Sequence, residues 1–121
     1  MSELSAAPYA KNIVELLKSN NLAVRSSAAE ALGRLGSVAA PYAYDIARLL
    51  KSDNLAVRGS AAEALGELGS VAAPYAKDIA QLLKSDSPSV RSSAADALGK
   101  LGPTAASYAK DITELLKSNE R

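Results

Sequence analysis

The chain has 121 residues, of which 48% are hydrophobic, and a formal net charge of +1 from 14 basic and 13 acidic residues. Its length suits one domain, and the balanced charge lacks the clustered Lys and Arg of nucleic-acid-binding proteins. The sequence contains no Cys and no His, which excludes disulfides, zinc–thiolate sites and the commonest general base. We find neither a signal peptide nor an apolar run of membrane-spanning length, and we therefore expect a soluble, cytoplasmic protein.

A period of 33 residues organises the sequence. Tyr42 and Tyr75 are 33 residues apart, and residues 37–69 agree with residues 70–102 at 25 of 33 positions. A fixed period in this range is typical of stacked repeats. We predict one domain over residues 1–121, with units at about 4–36, 37–69 and 70–102 and a half unit at 103–121.

Each full unit predicts two antiparallel helices, A and B. In the second unit Pro41 suits the first turn of helix A, because its missing N–H has no partner there. Helix B carries an apolar stripe from Val57 through Leu65 to Leu68, and Gly69 ends it. We expect A helices at about residues 6–18, 39–51, 72–84 and 105–117, and B helices at about 22–35, 55–68 and 88–101.

A single helix pair has too little apolar surface to fold alone, so stacking must bury both of its sides. The pattern predicts an all-α protein: a right-handed α-solenoid of stacked helix pairs, with three and a half repeats, seven helices and no strand. Gly66 lies inside helix B, where it costs roughly 1 kcal/mol relative to Ala. Its presence there indicates either a tolerated glycine or close backbone approach in the stack, on the one hand, or a flat spot for a ligand, on the other, and the first interpretation is favoured.

The B helices carry the most characteristic motif. They read LAVRSSAAEALGRLG at residues 22–36, LAVRGSAAEALGELG at 55–69 and PSVRSSAADALGKLG at 88–102. These segments resemble the short HEAT-like repeats of the phycobilisome-lyase type, whose second helix reads VRxxAAxALGxxG. The resemblance covers essentially the whole chain and implies a scaffold fold. It also implies a ladder of ion pairs along the stack. The ladder would join Arg25, Arg58 and Arg91 to the turn residues Asp53 and Asp86. The first unit has Asn20 in place of the aspartate, so the interaction there should be weaker.

The function predicted is that of a non-enzymatic scaffold for protein–protein interaction or self-assembly. The near-identity of the units favours a consensus-designed array, although recent natural duplication would look similar. The carboxylates recur at equivalent positions, unlike a catalytic pair held in two different environments. We expect no cofactor, metal, small-molecule substrate, nucleic acid or membrane partner. The alternatives are a fragment of a natural regulatory HEAT array and, less favoured, a bilin-lyase-like or chaperone protein.

Three surfaces are candidates for binding. In HEAT-type solenoids helix B lines the concave side, and the outward positions predicted here are Ser26, Glu30, Arg34, Gly59, Glu63, Glu67, Ser92, Asp96 and Lys100. The same faces carry the small residues Ala29, Gly33, Ala62, Gly66, Ala95 and Gly99. The last helix A has no helix B beside it, which predicts a two-fold homo-oligomer through Tyr108, Ile112, Leu115 and Leu116. Tyr44, on the outer face of helix A, is a further candidate contact.

Overall fold

The computed structural model describes the backbone of residues 3–108, 110, 113, 114 and 117, and side chains from residue 8 onward in these ranges, except residues 104, 107 and 108. No strand occurs in these ranges, and the prediction of an all-α protein is confirmed. The α-helices are α1 (Glu3–Leu16), α2 (Leu22–Leu35), α3 (Ala43–Arg48), α4 (Leu55–Leu68), α5 (Ala76–Gln81) and α6 (Pro88–Leu101).

The prediction of seven helices is wrong, since the described residues form only four long α-helices: α1, α2, α4 and α6, each of 14 residues. The segments predicted as continuous A helices at 39–51 and 72–84 are composite. In the first of them a 3-10 turn (Gly36–Tyr42) precedes α3, and a second 3-10 turn (Leu49–Lys51) follows it. The equivalent turns around α5 are Gly69–Tyr75 and Leu82–Lys84, and a further 3-10 turn covers Gly102–Tyr108.

The composite form of these segments has a local cause. The 3-10 turn follows the preceding long helix without a connecting loop, through Gly36 at a φ of +61°. Pro41 lies inside this turn, but the equivalent Pro8 lies inside the continuous α-helix α1, so we attribute the 3-10 form to the direct joint with α2 rather than to the proline. At the other end the chain tightens again, and the Ser52 N–H donates to the Leu49 carbonyl at 3.1 Å. Only the middle six residues are therefore α-helical.

The three long helices α2, α4 and α6 begin and end as the sequence predicts. The side chain of Asn54 accepts a hydrogen bond from the Val57 N–H at 3.0 Å, which makes it the N-cap of α4. Asn21 and Ser87 cap α2 and α6 in the same way. Each of these helices ends at a glycine with positive φ, a conformation that other residues adopt only with strain.

The arginine–aspartate ladder implied by the resemblance does not form in the described residues. Arg58 donates from Nε to the backbone carbonyl of Ser52, and Arg91 donates from Nη1 to that of Ser85 at 2.6 Å. Arg25 donates from Nε to the Ser19 carbonyl at 2.5 Å. A carbonyl at the end of a helix has lost its partner within that helix, so the guanidinium satisfies it directly. The arginines therefore hold the turn that precedes each B helix, within a single unit rather than along the stack.

This arrangement predicts that substitutions of Arg58 and of Asp53 lower the free energy of unfolding by different amounts. Arg58→Leu is expected to lower the free energy of unfolding by about 1–2 kcal/mol, because a charged hydrogen bond to a carbonyl is lost. Asp53→Asn is expected to change it by less than about 0.5 kcal/mol, because Asp53 is exposed and is not the cap. Urea titrations of both variants test this. Equal losses would support the carboxylate ladder instead.

The core lies between the long helices. The most extensive packing joins α2 to α4 and α4 to α6, while α1 packs on α2, α3 on α4 and α5 on α6. The B stripe predicted from Val57 to Leu68 is buried as expected. None of the helices in the described ranges is both long enough and apolar enough to cross a membrane. The unit boundaries and the right-handed superhelix stay predictions. The largest fully buried side chains are Leu32, Ile46, Leu65, Ile79, Val57 and Val90.

Candidate protein-binding groove

A groove of about 250 Å³ crosses the exposed side of α2, α4 and α6. Six of the nine residues predicted for the binding surface of the B helices line it, two from each helix. The floor between them is formed by Ala64 and Ala97. We call this feature the B-helix groove. Its predicted lining residues are Glu30 and Arg34 from α2, Glu63 and Glu67 from α4, and Asp96 and Lys100 from α6.

Two hydrogen bonds between units hold two of the four acidic side chains in place. The Ser60 hydroxyl of α4 donates to Oε2 of Glu30 at 3.2 Å, and the Ser93 hydroxyl of α6 donates to Oε2 of Glu63 at 3.0 Å. Both serines are buried, with 8% of their surface exposed. A hydrogen bond to a charged acceptor is stronger than one between neutral groups. Each junction therefore fixes one carboxylate of the groove and joins two units.

The groove floor depends on close contact between backbones. A Cβ placed on Gly33 would lie 2.8 Å from the Cα of Ala64, and one on Gly66 would lie 2.8 Å from the Cα of Ala97. These distances are too short for any real side chain, so the glycines allow successive B helices to pack at short range. The close-packing interpretation of Gly66 is confirmed, and Gly33 has the same role in the preceding B helix.

Two residues predicted to face outward are instead inside the helix junctions. Gly59 is buried, and a Cβ on it would lie 3.4 Å from the Ser93 hydroxyl. The Oγ of Ser26 is also buried, with no hydrogen-bond partner among the described residues. The reason is that the next B helix packs over this side of α2 and of α4. That helix also buries four small residues of the predicted face: Ala29, Gly33, Ala62 and Gly66.

The equivalent small residues of α6 differ, because no described helix packs over them. Ser92, Ala95 and Gly99 are all exposed, as the sequence predicts. A Cβ on Gly99 would meet no described atom within 4 Å. The small residues at these equivalent positions are therefore buried on α2 and α4, beneath the next B helix, and exposed on α6.

The chemistry of the B-helix groove is that of a charged surface above an apolar floor. Four carboxylates and two cations line it, so its ring of charges is net acidic. In the described ranges, no group of three or more Asp or Glu side chains lies close enough to hold a metal ion. Three of the four acidic groups, Glu30, Glu63 and Asp96, come from equivalent positions of successive helices. The groove thus offers several parallel acceptors rather than the differentiated pair that acid–base catalysis needs.

The other two candidate surfaces are Tyr44 and the last helix A. Tyr44 is 62% exposed on α3, and its role as a contact stays a prediction. Ile112, Leu115 and Leu116 lie outside the described residues, as does the side chain of Tyr108. The predicted self-association through this helix stays a prediction.

Sequence reasoning missed the serines that organise the groove. Ser60 and Ser93 recur 33 residues apart on helices otherwise rich in Ala and Leu. Serine is a poor residue for the interior of a helix, because its hydroxyl competes for backbone hydrogen bonds. Its recurrence at one position could have indicated a hydrogen bond between units. The carboxylate partner could not be named in advance, since that required the offset between neighbouring helices.

Two family models match this chain. One, described as HEAT repeats, matches residues 45–121, which is more than half of the chain. The other, described as HEAT repeat, matches residues 11–39. No curated protein matches the chain. The matched ranges include α2 and α4 and extend through α6, the three helices that form the groove.

Proposed function

This chain belongs to the HEAT repeat family, and we propose that it is a non-enzymatic scaffold that binds another protein through the B-helix groove. HEAT repeats generally mediate protein–protein interaction. The observation that carries the proposal is the groove itself, which runs across three successive long helices instead of closing into a pocket beside one of them. Such a shape suits an extended segment of a partner protein.

The charges of the groove favour a basic partner segment. Glu30 and Glu63 are each held by a serine of the next helix, so their second carboxylate oxygens are oriented with little freedom left to lose. A partner Lys or Arg that meets such a carboxylate loses less ordering entropy than it would with a mobile side chain. Arg34 and Lys100 sit along the same groove and would select against a uniformly basic segment.

The finer interpretations stay proposals. They are the phycobilisome-lyase type of the repeats, the consensus-designed origin, the lack of enzymatic activity, the cytoplasmic location, and a homo-oligomer through the C-terminal helix. A bilin-lyase-like function has no support from the B-helix groove, whose lining contains no aromatic residue. Tyr44 remains a candidate for a second contact, although single exposed aromatic side chains also occur without function.

A labelled peptide that alternates Lys or Arg with Gly and Ser tests the groove by fluorescence anisotropy. We expect the peptide to bind, and Glu63→Gln to weaken the binding by about two- to fivefold, the range for one exposed ion pair. Asp78→Asn is the matched control, because Asp78 is an exposed carboxylate on α5 outside the groove. Added salt should weaken the complex. Equal binding of an acidic peptide, or equal effects of the two substitutions, would contradict the proposal.

A further inference from the structure

A cleft of about 330 Å³ lies where α1, the first turn of α2 and the end of α3 meet, and three cations line it. Lys18 follows α1, Arg25 belongs to α2 and Arg48 is the last residue of α3. Among the described residues that line this cleft, Asp45 is the one carboxylate, so the charge of the lining is net basic. The apolar part of the lining consists of Val14, Leu17 and Leu49.

A second cleft, of about 520 Å³, adjoins the first at Arg25, which lines both of them. Lys51 and Asp53 line the second cleft, together with Leu22, which is 43% exposed. Four cations and two carboxylates therefore line the two clefts, next to apolar side chains. We call the lining of the two clefts the basic surface.

The charge of Arg25 is not neutralised by the contact that holds its side chain. Its Nε donates to the backbone carbonyl of Ser19, and a carbonyl carries no net charge. The ion pairs expected from sequence would have cancelled the charge of this arginine and its equivalents, but the ladder does not form in the described residues. The bond to Ser19 also restrains the guanidinium, so less ordering entropy is lost when Arg25 meets an anion.

Two departures from the repeat pattern make this surface more positive than its equivalent in the next unit. Arg48 stands where the next unit has Gln81. Asn20, in the turn between α1 and α2, stands where the later units have Asp53 and Asp86. The equivalent positions one unit later therefore carry one cation fewer and one carboxylate more. Both departures favour an anionic ligand at the first of the two positions.

We propose that the basic surface binds an acidic segment of a partner protein, one in which aliphatic residues lie beside Asp or Glu. The carboxylates of the segment meet the cations of the two clefts, and its aliphatic side chains cover the apolar lining. Charge complementarity of this kind speeds association and selects the partner. The proposal goes beyond the B-helix groove, which shares no lining residue with the basic surface, and failure of the groove experiment leaves it standing.

The shape and composition of the basic surface favour a peptide over other anions. A free phosphate would fill only a small part of a surface that extends through two adjoining clefts. A nucleic-acid strand gains much of its affinity when its bases stack on aromatic side chains, and the described lining of the two clefts contains none. Aliphatic side chains next to cations match a segment that carries both carboxylates and aliphatic groups.

Fluorescence anisotropy with a labelled peptide that alternates Glu with Leu and Ser tests the proposal. We expect the wild-type chain to bind this peptide, and Arg48→Gln and Asn20→Asp each to weaken the binding by about two- to fivefold. Both substitutions introduce the residue type that the chain carries at the equivalent position of the next unit, so both variants are expected to fold. Arg34→Gln is the matched control, because Arg34 is an exposed arginine of the B-helix groove.

A second peptide, with Ser in place of every Leu, separates the apolar contact from charge alone. It is expected to bind about three- to tenfold more weakly than the first. A wild type that binds neither peptide, equal binding of the two peptides, or equal effects of Arg48→Gln and Arg34→Gln would overturn the proposal. Tighter binding of a single-stranded oligonucleotide would overturn it too, as would inorganic phosphate that displaces the peptide more effectively than chloride of the same ionic strength.

Discussion

Replacing Leu65 with alanine is expected to lower the free energy of unfolding by about 2–5 kcal/mol. Leu65 is fully buried in α4, the long helix that packs against both α2 and α6. Removing its side chain leaves a cavity at the centre of the layer, which cannot collapse without moving one of the two neighbouring helices. Chemical denaturation followed by circular dichroism measures the loss.

Glu67→Ala is the matched control for Leu65→Ala, two residues along the same helix. Glu67 is exposed in the B-helix groove, and its truncation is expected to change the free energy of unfolding by less than about 0.5 kcal/mol. The pair separates burial from helix propensity, because both substitutions introduce the same good helix former. Comparable losses for the two variants would mean that the core does not run along the stripe of Leu65.

The same substitution at two equivalent glycines is expected to have opposite effects. Gly66→Ala should destabilise the protein by about 1–3 kcal/mol, since its Cβ would lie 2.8 Å from the Ala97 backbone and α6 would have to move. Gly99→Ala should stabilise it by about 0.5–1 kcal/mol, because the position is open and alanine favours the helix. Thermal or urea unfolding of both variants gives the comparison, in dilute protein so that association does not contribute.

The sign of the difference is the informative result. Helix propensity alone predicts a gain at both positions, and overpacking predicts a loss only where another helix lies close. A stabilised Gly66→Ala chain would show that the junction between α4 and α6 opens at little cost. A destabilised Gly99→Ala chain would show that something packs on α6 in the single copy.

The B helices could be predicted from sequence because their signals are local. Asn54 and Gly69 mark the two ends of α4, and the stripe between Val57 and Leu68 needs only the helical period. The A segments could not be predicted as well. Pro41 is compatible both with the start of an α-helix and with a 3-10 turn, and the choice depends on the joint with the preceding helix, which the periodicity does not specify.

The groove was only partly predictable, for a similar reason. Glu30, Glu63 and Asp96 are polar residues opposite the stripe, and a helical wheel places them outward without further knowledge. Ser26 and Gly59 also lie off the stripe, yet Gly59 and the Oγ of Ser26 are buried, because a B helix in this stack contacts neighbours on two sides. A helical wheel identifies an apolar face from its large hydrophobic residues. Small residues such as Gly33 are not strongly hydrophobic, so the wheel does not reveal the second buried face of the helix.

The repeated junction has a consequence for how this chain tolerates rearrangement. Glu30 and Gly33 face α4 with the same residue types that Glu63 and Gly66 present to α6. Excising residues 37–69 would bring Ser93 opposite Glu30 and Ala97 opposite Gly33, which conserves the serine–carboxylate and alanine–glycine contacts and replaces Glu67 by Lys100 beside Gly33. We therefore expect a chain that lacks residues 37–69 to fold with a junction of the same kind between α2 and α6.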